Sequence, residues 1–363
     1  MDPPRVDTCR RPVVLVWELT QACSLACRHC RADAQEACHP AELSTAEGRA
    51  LLDSAREFGE GQLVVLSGGD PMVREDVVEL VEYGTDHGLR MTLTPSGTER
   101  LTPPRLQQLS AAGLRRIALS IDGATPASHD DFRGEDGSFE RTMRAARAAK
   151  DAGLPVQLNT TVCADTVDEL PAIRELAEEL GIVLWSVFFL VPVGRGAVLD
   201  PISPERAESV MEWLAEVAET ASFGLKTTEA PHYRRVRVQS ATGSTDTGQS
   251  TSGRPRVIAG DGFVFVSHTG EIFPSGFLPK SVGNVREADL VERYRNAELL
   301  EQLRDPDALT GKCGACPFNR LCGGSRSRAY ARTGDPLASD PLCEYVPPGY
   351  DGAVPSTHPV QKG

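Results

Sequence analysis

Between Val13 and Ala221 the chain alternates short apolar runs with longer stretches whose apolar positions recur at helical spacing. The short runs are Val13–Glu18, Leu63–Leu66, Arg90–Leu93, Arg116–Ile121, Val156–Val162 and Val183–Phe189. Most are aliphatic or β-branched and end near Gly, Pro, Ser or Asp, which marks them as strands. The longer stretches predict helices over Thr45–Phe58, Glu75–His87, Pro103–Ala112, Ser138–Ala152, Val167–Leu180 and Pro204–Thr220. Several close on a glycine, at Gly113, Gly153 and Gly181, as helix C-termini commonly do. Six strand–helix units in a row define an α/β fold with a parallel sheet and helices outside it. Six units rather than eight predict an open, partial (β/α)6 TIM-like barrel spanning 13–221.

Beyond that region the texture changes. Gln239–Arg256 is small and polar and cannot bury a core, so 222–262 is expected to be a partly disordered linker or insertion. Phe263–Val266 and Glu271–Phe273 flank Ser-His-Thr-Gly and predict a hairpin. A helix is expected over Glu287–Leu303. Lys312–Tyr345 has poor periodicity and four cysteines, so metal rather than packing must organise it. This gives a small cysteine-rich extension at 263–345, an N-terminal arm at 1–12 and a flexible tail at 346–363.

Charge narrows the function. A net charge of −13 argues against a nucleic-acid partner, which needs a basic face, and against an anionic membrane surface. No apolar run approaches the roughly 20 residues of a membrane span, and Met1–Arg11 lacks the apolar stretch of a signal peptide. A cytoplasmic location is therefore expected. The chain has ten cysteines, and a reducing compartment disfavours disulfides. Seven fall into two groups, Cys23/Cys27/Cys30 and Cys313/Cys316/Cys322/Cys343, which points to metal or cluster ligation. Cys9, Cys38 and Cys163 stand apart and read as buried or incidental thiols.

Cys23-x3-Cys27-x2-Cys30 follows the first strand directly. Three thiolates can hold three irons of a four-iron cube and leave the fourth open to a cosubstrate. A structural zinc site would want four ligands, and His29, wedged between Arg28 and Cys30, is badly placed to be the fourth. The spacing resembles that of the radical S-adenosylmethionine superfamily, and the match extends further. Ser67-Gly68-Gly69-Asp70-Pro71 stands where the family has Gly-Gly-Glu-Pro, Asp70 replacing the commoner Glu. The resemblance implies that Gly68, Gly69, Asp70 and Pro71 meet the amino group of S-adenosylmethionine. Ser120 and Asp122 resemble the ribose-binding segment. Ser96, in Thr94-Pro95-Ser96-Gly97, stands where relatives often carry Thr-Asn-Gly. Asn159 and Leu190 resemble positions that flank the ligand's amino-acid and adenine parts. The chemistry implied is reductive cleavage of the sulfonium–carbon bond, then abstraction of a hydrogen atom by a 5′-deoxyadenosyl radical. A flavodoxin- or ferredoxin-type protein would supply the electron.

The second group, Cys313-x2-Cys316-x5-Cys322-x20-Cys343, resembles the SPASM/twitch extension of the same superfamily, which carries auxiliary four-iron clusters. The four cysteines of its outer cluster are all present. Ser275 and Ser325 stand where close relatives place cysteines of an inner cluster, so one auxiliary cluster is expected, and two 4Fe-4S clusters in all. A zinc ribbon is the alternative for four thiolates at this spacing. The texture is similar to the branch of haem-synthesis decarboxylases and the mycofactocin maturase, through Pro-x-Gly-Phe-Leu-Pro and Cys-Gly-Gly-x-Arg-x-Arg-Ala-Tyr segments. A small metabolite is the expected substrate (a sugar, a nucleoside or a carboxylated intermediate), dehydrogenated or oxidatively decarboxylated with the auxiliary cluster as electron conduit. Arg133, Arg195 and Arg326/Arg328 are candidates for holding its anionic group. The alternatives are sulfur insertion from the auxiliary cluster, peptide maturation, and a non-catalytic iron–sulfur carrier or sensor.

Overall fold

A computed structural model describes residues 6–241 and 256–357. Seven parallel strands follow one another across the sheet in chain order: β1 (Val14–Glu18), β2 (Leu63–Ser67), β3 (Arg90–Leu93), β4 (Arg116–Ser120), β5 (Val156–Val162), β6 (Leu184–Phe189) and β7 (Gly224–Thr228). The intervening helices are α1 (Thr45–Arg56), α2 (Val77–Asp86), α3 (Pro103–Ala111), α4 (Pro126–Arg133), α5 (Ser138–Asp151), α6 (Leu170–Leu180) and α7 (Pro204–Thr220). They cover one face of the sheet. Trp17 is fully buried there, and a Cβ on Gly48 of α1 would lie 2.4 Å from its ring. Only a glycine lets helix and strand approach so closely. Trp185 meets Trp213 of α7 edge-on at 6.2 Å. Strand side chains alternate in direction, so Val16 and Glu18, like Ser186 and Phe188, face away from the helices into the barrel lumen.

The sheet also grows on the other side of β1. After β8 (Ile258–Ala259) comes β9 (Gly262–Val266), parallel to β1, and β10 (Ile272–Phe273), antiparallel to β9. The order is β10-β9-β1-β2-β3-β4-β5-β6-β7, an open partial barrel as expected. The hairpin forms as expected too, but it is part of the barrel sheet and no separate layer.

Two expectations need correction. Residues 222–262 do not begin as linker: they supply β7, α8 (Tyr233–Ala241) and β8. Strand β7 is an edge strand, Gly-Leu-Lys-Thr-Thr, and has too little apolar content to stand out by pattern. Most of the polar insertion, 242–255, lies outside the described residues. The helix expected over Glu287–Leu303 is two, α9 (Leu290–Asn296) and α10 (Glu298–Arg304), separated at Ala297, whose ψ of 126° is extended. The tail is described to Thr357 as irregular chain, and Thr357 is buried. Two short helices complete the extension, α11 (Gly311–Gly314) and α12 (Arg326–Thr333). No helix among the described residues is long and apolar enough to cross a membrane.

Candidate active site

The loop after β1 gathers Cys23, Cys27 and Cys30 into one small buried cluster with Leu25 and Ala34. Backbone N–H groups already point at the sulfurs: Leu25 donates to Cys23 Sγ and Ala34 to Cys30 Sγ, each at 3.4 Å. Such bonds stabilise thiolates and tune clusters bound by them. Arg195 clamps the loop from outside. Its guanidinium donates to the carbonyls of Cys27 (3.0 Å), Ala34 (3.1 Å) and Leu25 (3.4 Å), and its own N–H donates to Cys30 O. This corrects the expectation that Arg195 holds a substrate anion: its donors are committed to the cysteine loop.

Gly68 and Gly69 lie directly against that loop. Gly69 N donates to Thr20 O at 2.8 Å and Asp70 N to Ala22 O at 2.7 Å. A Cβ on Gly68 (φ 147°) or Gly69 would come within 2.4 Å of the Thr20 or Ala22 carbonyl oxygen, so no side chain is tolerated. Asp70 is buried, and its carboxylate accepts from Met72 N (3.1 Å), Ser96 N (3.4 Å) and Thr98 Oγ1 (2.5 Å). Three of about four lone-pair sites are thus engaged within the protein. The carboxylate fixes the turn that carries Ser96, with Pro71 opening a short 3-10 turn, Pro71–Val73. Acceptors for an amino group would then come mainly from turn carbonyls. Ser96 Oγ donates to Gly69 O at 2.6 Å and lies 3.5 Å from Cys23 Sγ, which ties the third strand's loop to the first.

On the other side stand Asp122 and Arg133. Asp122 Oδ1 accepts from Thr161 N (2.7 Å), and Oδ2 lies 3.3 Å from Arg133 Nη1 and 3.9 Å from His29 Nε2. Burial pushes the Asp122 carboxyl up, but the neighbouring His29 and Arg133 outweigh it and the net shift is downward. Arg133 is buried, donates to Ser96 O at 3.4 Å, and leaves its Nε without a partner. The structure brings it beside Cys23, Cys27, Asp122 and Ser96, at the rim of the cysteine loop. His29 lies flat on Phe132, with centroids 4.8 Å apart and planes 9° apart, and its Nδ1 is buried without a partner. Burial holds its pKa at about 4, so the ring is neutral. Phe132 packs with Cys163, Leu190 and Leu199, a flat apolar floor beneath the charged pair. Ser120 and Asn159 are register partners on β4 and β5, and Asn159 Oδ1 accepts from Gln157 Nε2 at 2.7 Å.

The four C-terminal cysteines, Cys313, Cys316, Cys322 and Cys343, line one common cavity with Arg235 and Lys312. Here too backbone N–H groups reach sulfur: Phe318 to Cys316, Gly324 to Cys322 and Asp340 to Cys313, at 3.3–3.4 Å. Arg326 and Arg328 are not free to hold an anion. Arg326 donates to the carbonyls of Gly324, Pro336 and Ala338 and to Cys313 Sγ. Arg328 pairs with Asp340 and donates to the carbonyls of Phe189, Leu190 and Glu229.

Ser275 and Ser325 meet at a residue that sequence reasoning missed. Together with Ser327 they donate to the carboxylate of Glu229, at 3.4, 2.5 and 2.9 Å. Glu229 has φ 56°, a strained backbone that its side-chain and carbonyl partners hold in place. Its position after the overlooked strand β7 hid it. The serine substitutions were its signal.

Strand ends around one rim, a three-cysteine loop with an apolar floor, and buried charges beside it define a site suited to an iron–sulfur enzyme. Residues 17–177 match the family model of the radical SAM superfamily. The chain is 43% identical over 341 residues to the AdoMet-dependent heme synthase of Methanosarcina barkeri, covering 93% of this chain and 97% of that protein. It is 30% identical to the Fe-coproporphyrin III synthase of the same organism, covering 92% and 88%. Among solved structures, Streptococcus suis SuiB bound to S-adenosylmethionine superposes with a TM-score of 0.72 at 17% identity, covering 93% of this chain and 78% of that one, a likeness of fold. The chain belongs to the radical S-adenosylmethionine superfamily and is an enzyme. Its relatives place it in the branch that contains the heme synthases. Membership implies a 4Fe-4S cluster and S-adenosylmethionine, and the clustered thiols with their N–H donors suit that cluster.

Proposed function

We propose that this enzyme oxidatively decarboxylates propionate side chains of an iron porphyrin, and so completes haem. The observation that carries the reading is the full-length similarity to the AdoMet-dependent heme synthase. When bound by Cys23, Cys27 and Cys30, the cluster and S-adenosylmethionine supply a 5′-deoxyadenosyl radical. Loss of one hydrogen atom from the propionate, then of carbon dioxide and one electron, leaves a vinyl group.

The chain's own residues position the partners. The Gly68–Pro71 turn and Ser96 would take the methionine part. Ser120, Asp122 and Arg133 would take the ribose and carboxylate, with Asn159 beside them on β5. His29, Phe132 and Leu190 offer the apolar surface on which an adenine could lie. Cys313, Cys316, Cys322 and Cys343 would hold a second 4Fe-4S cluster as acceptor of the departing electron. Their shared cavity supports this, and four thiolates leave that cluster no open iron. The electron that starts the reaction would come from a flavodoxin- or ferredoxin-type protein.

The test is anaerobic turnover of the reconstituted enzyme with reductant, S-adenosylmethionine and iron coproporphyrin. Expected are 5′-deoxyadenosine and a porphyrin that has lost carbon dioxide and two hydrogens at each converted side chain. Formation of 5′-deoxyadenosine with the porphyrin unchanged would overturn the substrate assignment. Roughly eight irons per chain are expected from two four-iron clusters; roughly four, accompanied by one zinc, would overturn the second cluster.

A further inference from the structure

The lumen face of the sheet carries chemistry that the cysteine loops do not use. Parallel register places Phe265, Val16, Val65, Thr92 and Arg116 in one transverse row from β9 to β4, continued by Phe273 on β10. A second row runs through Ser120, Asn159, Ser186 and Lys226, from β4 to β7. Both rows lie opposite the helix-facing Trp17 and Trp185, so they line the barrel interior.

The two sides of that interior differ. On the β9/β10 side the rings of Phe265 and Phe273 stack with centroids 6.3 Å apart. Arg31 lies 4.7 Å from the Phe265 centroid and 5.9 Å from that of Phe277. Its charge is already spent: it donates to Glu18 Oε2 at 2.6 Å and to Gly276 O at 3.2 Å. This is a flat apolar wall with a neutralised cation.

On the β4/β7 side stand Arg116 and Lys226. Neither side chain has a hydrogen bond or an ion pair among the described residues. Lys226 is open to solvent, yet the surrounding protein and then the charge of Arg116 bring its pKa down to about 8. Two cations facing one lumen with no carboxylate between them repel each other. A fold tolerates that cost where a ligand brings the missing anion.

We infer that Arg116 and Lys226 form a carboxylate-binding site inside the barrel, set across the lumen from the Phe265/Phe273 wall, for a substrate that is a flat apolar ring with acidic side arms. That the ring is an iron porphyrin, and the arm one of its propionates, rests on the function proposed above. The site would hold one arm and thereby orient the ring relative to the radical source.

The test uses the reconstituted full-length enzyme and two fluorescent probes with the same flat ring, pyrenebutyrate and pyrenebutanol, which differ by a carboxylate. The wild type should bind the acid at least about tenfold more tightly than the alcohol, the discrimination of one charge-assisted contact. Lys226→Gln should abolish that preference, and Lys226→Arg should keep most of it. Iron content and visible absorbance report whether each variant is folded and loaded. Equal or absent binding of the two probes by the wild type, or a preference that survives in Lys226→Gln, overturns the site. If the acid is preferred as stated while iron coproporphyrin is neither bound nor converted, the site stands and the porphyrin reading falls.

Discussion

Arg195 shows how far a single guanidinium can be misread when only its neighbours in sequence are known. Arg195 between two glycines was a candidate for holding the substrate's anionic group; in the fold the side chain closes over three carbonyls of the cysteine loop. Arg195→Met leaves those carbonyls short of donors. It should cost on the order of 1–3 kcal/mol and reduce the iron retained by the three-cysteine site after reconstitution. Iron content and denaturation midpoint check this. An unchanged iron content with a raised KM for substrate would return Arg195 to the anion-holding role. That Cys23, Cys27 and Cys30 gather in one place was legible because their spacing is a local property of sequence. The partners of Asp122 were not, since His29, Arg133 and Thr161 come from three different elements.

Elements that alternate cleanly were legible: β1 to β6 and the helices between them fall within three residues of the pattern, apart from α4, which no period announced. Strand β7 was missed because one lumen face and one free edge ask little of its hydrophobicity. With it went Glu229, and hence the junction between barrel and extension. That junction depends on Arg328 of α12, which reaches the last carbonyls of β6 while paired with buried Asp340. Arg328→Met strands the Asp340 carboxylate and should destabilise the protein by about 3–5 kcal/mol. The double variant Arg328→Met/Asp340→Leu should recover part of that loss, and chemical denaturation of the anaerobic protein reads both. If the double variant is no more stable than the single one, the pair is not what joins the two parts.

At the scale of the whole molecule, burial of histidines sets the response to acid. His29, His129 and His232 are each brought down to about 4, in every case chiefly by burial. Unfolded histidines titrate near 6.5, so between roughly pH 4 and 6.5 the unfolded chain binds more protons than the folded one. Stability therefore rises with pH across that window and is lost on acidification. Asp340, held at about 2, contributes stability that is lost only further down, as pH falls from the unfolded carboxylate range toward 2. Glu229, raised by burial, works in the opposite sense. The thermal midpoint should thus be lower at pH 5 than at pH 7.5. His232→Leu should shrink the difference, because among the described residues both ring nitrogens of His232 lack hydrogen-bond partners and the nearest carboxylate, Asp340, is 3.9 Å away. A midpoint that does not change with pH over this window would refute the account.

Strand β1 is flanked by β2 on one side and β9 on the other, so the strand that launches the cysteine loop is completed by residues about 250 positions later in the chain. During synthesis at roughly 5–20 residues per second, β1 waits on the order of 10–50 s for that partner to leave the ribosome. Through that interval its free edge carries aliphatic Val14, Leu15 and Val16, the kind of edge that pairs with other chains. The cysteine loop is thus made well before the strand that frames it, so a nascent chain halted before residue 258 should expose an unpaired β1 edge and bind chaperones more strongly than one released complete.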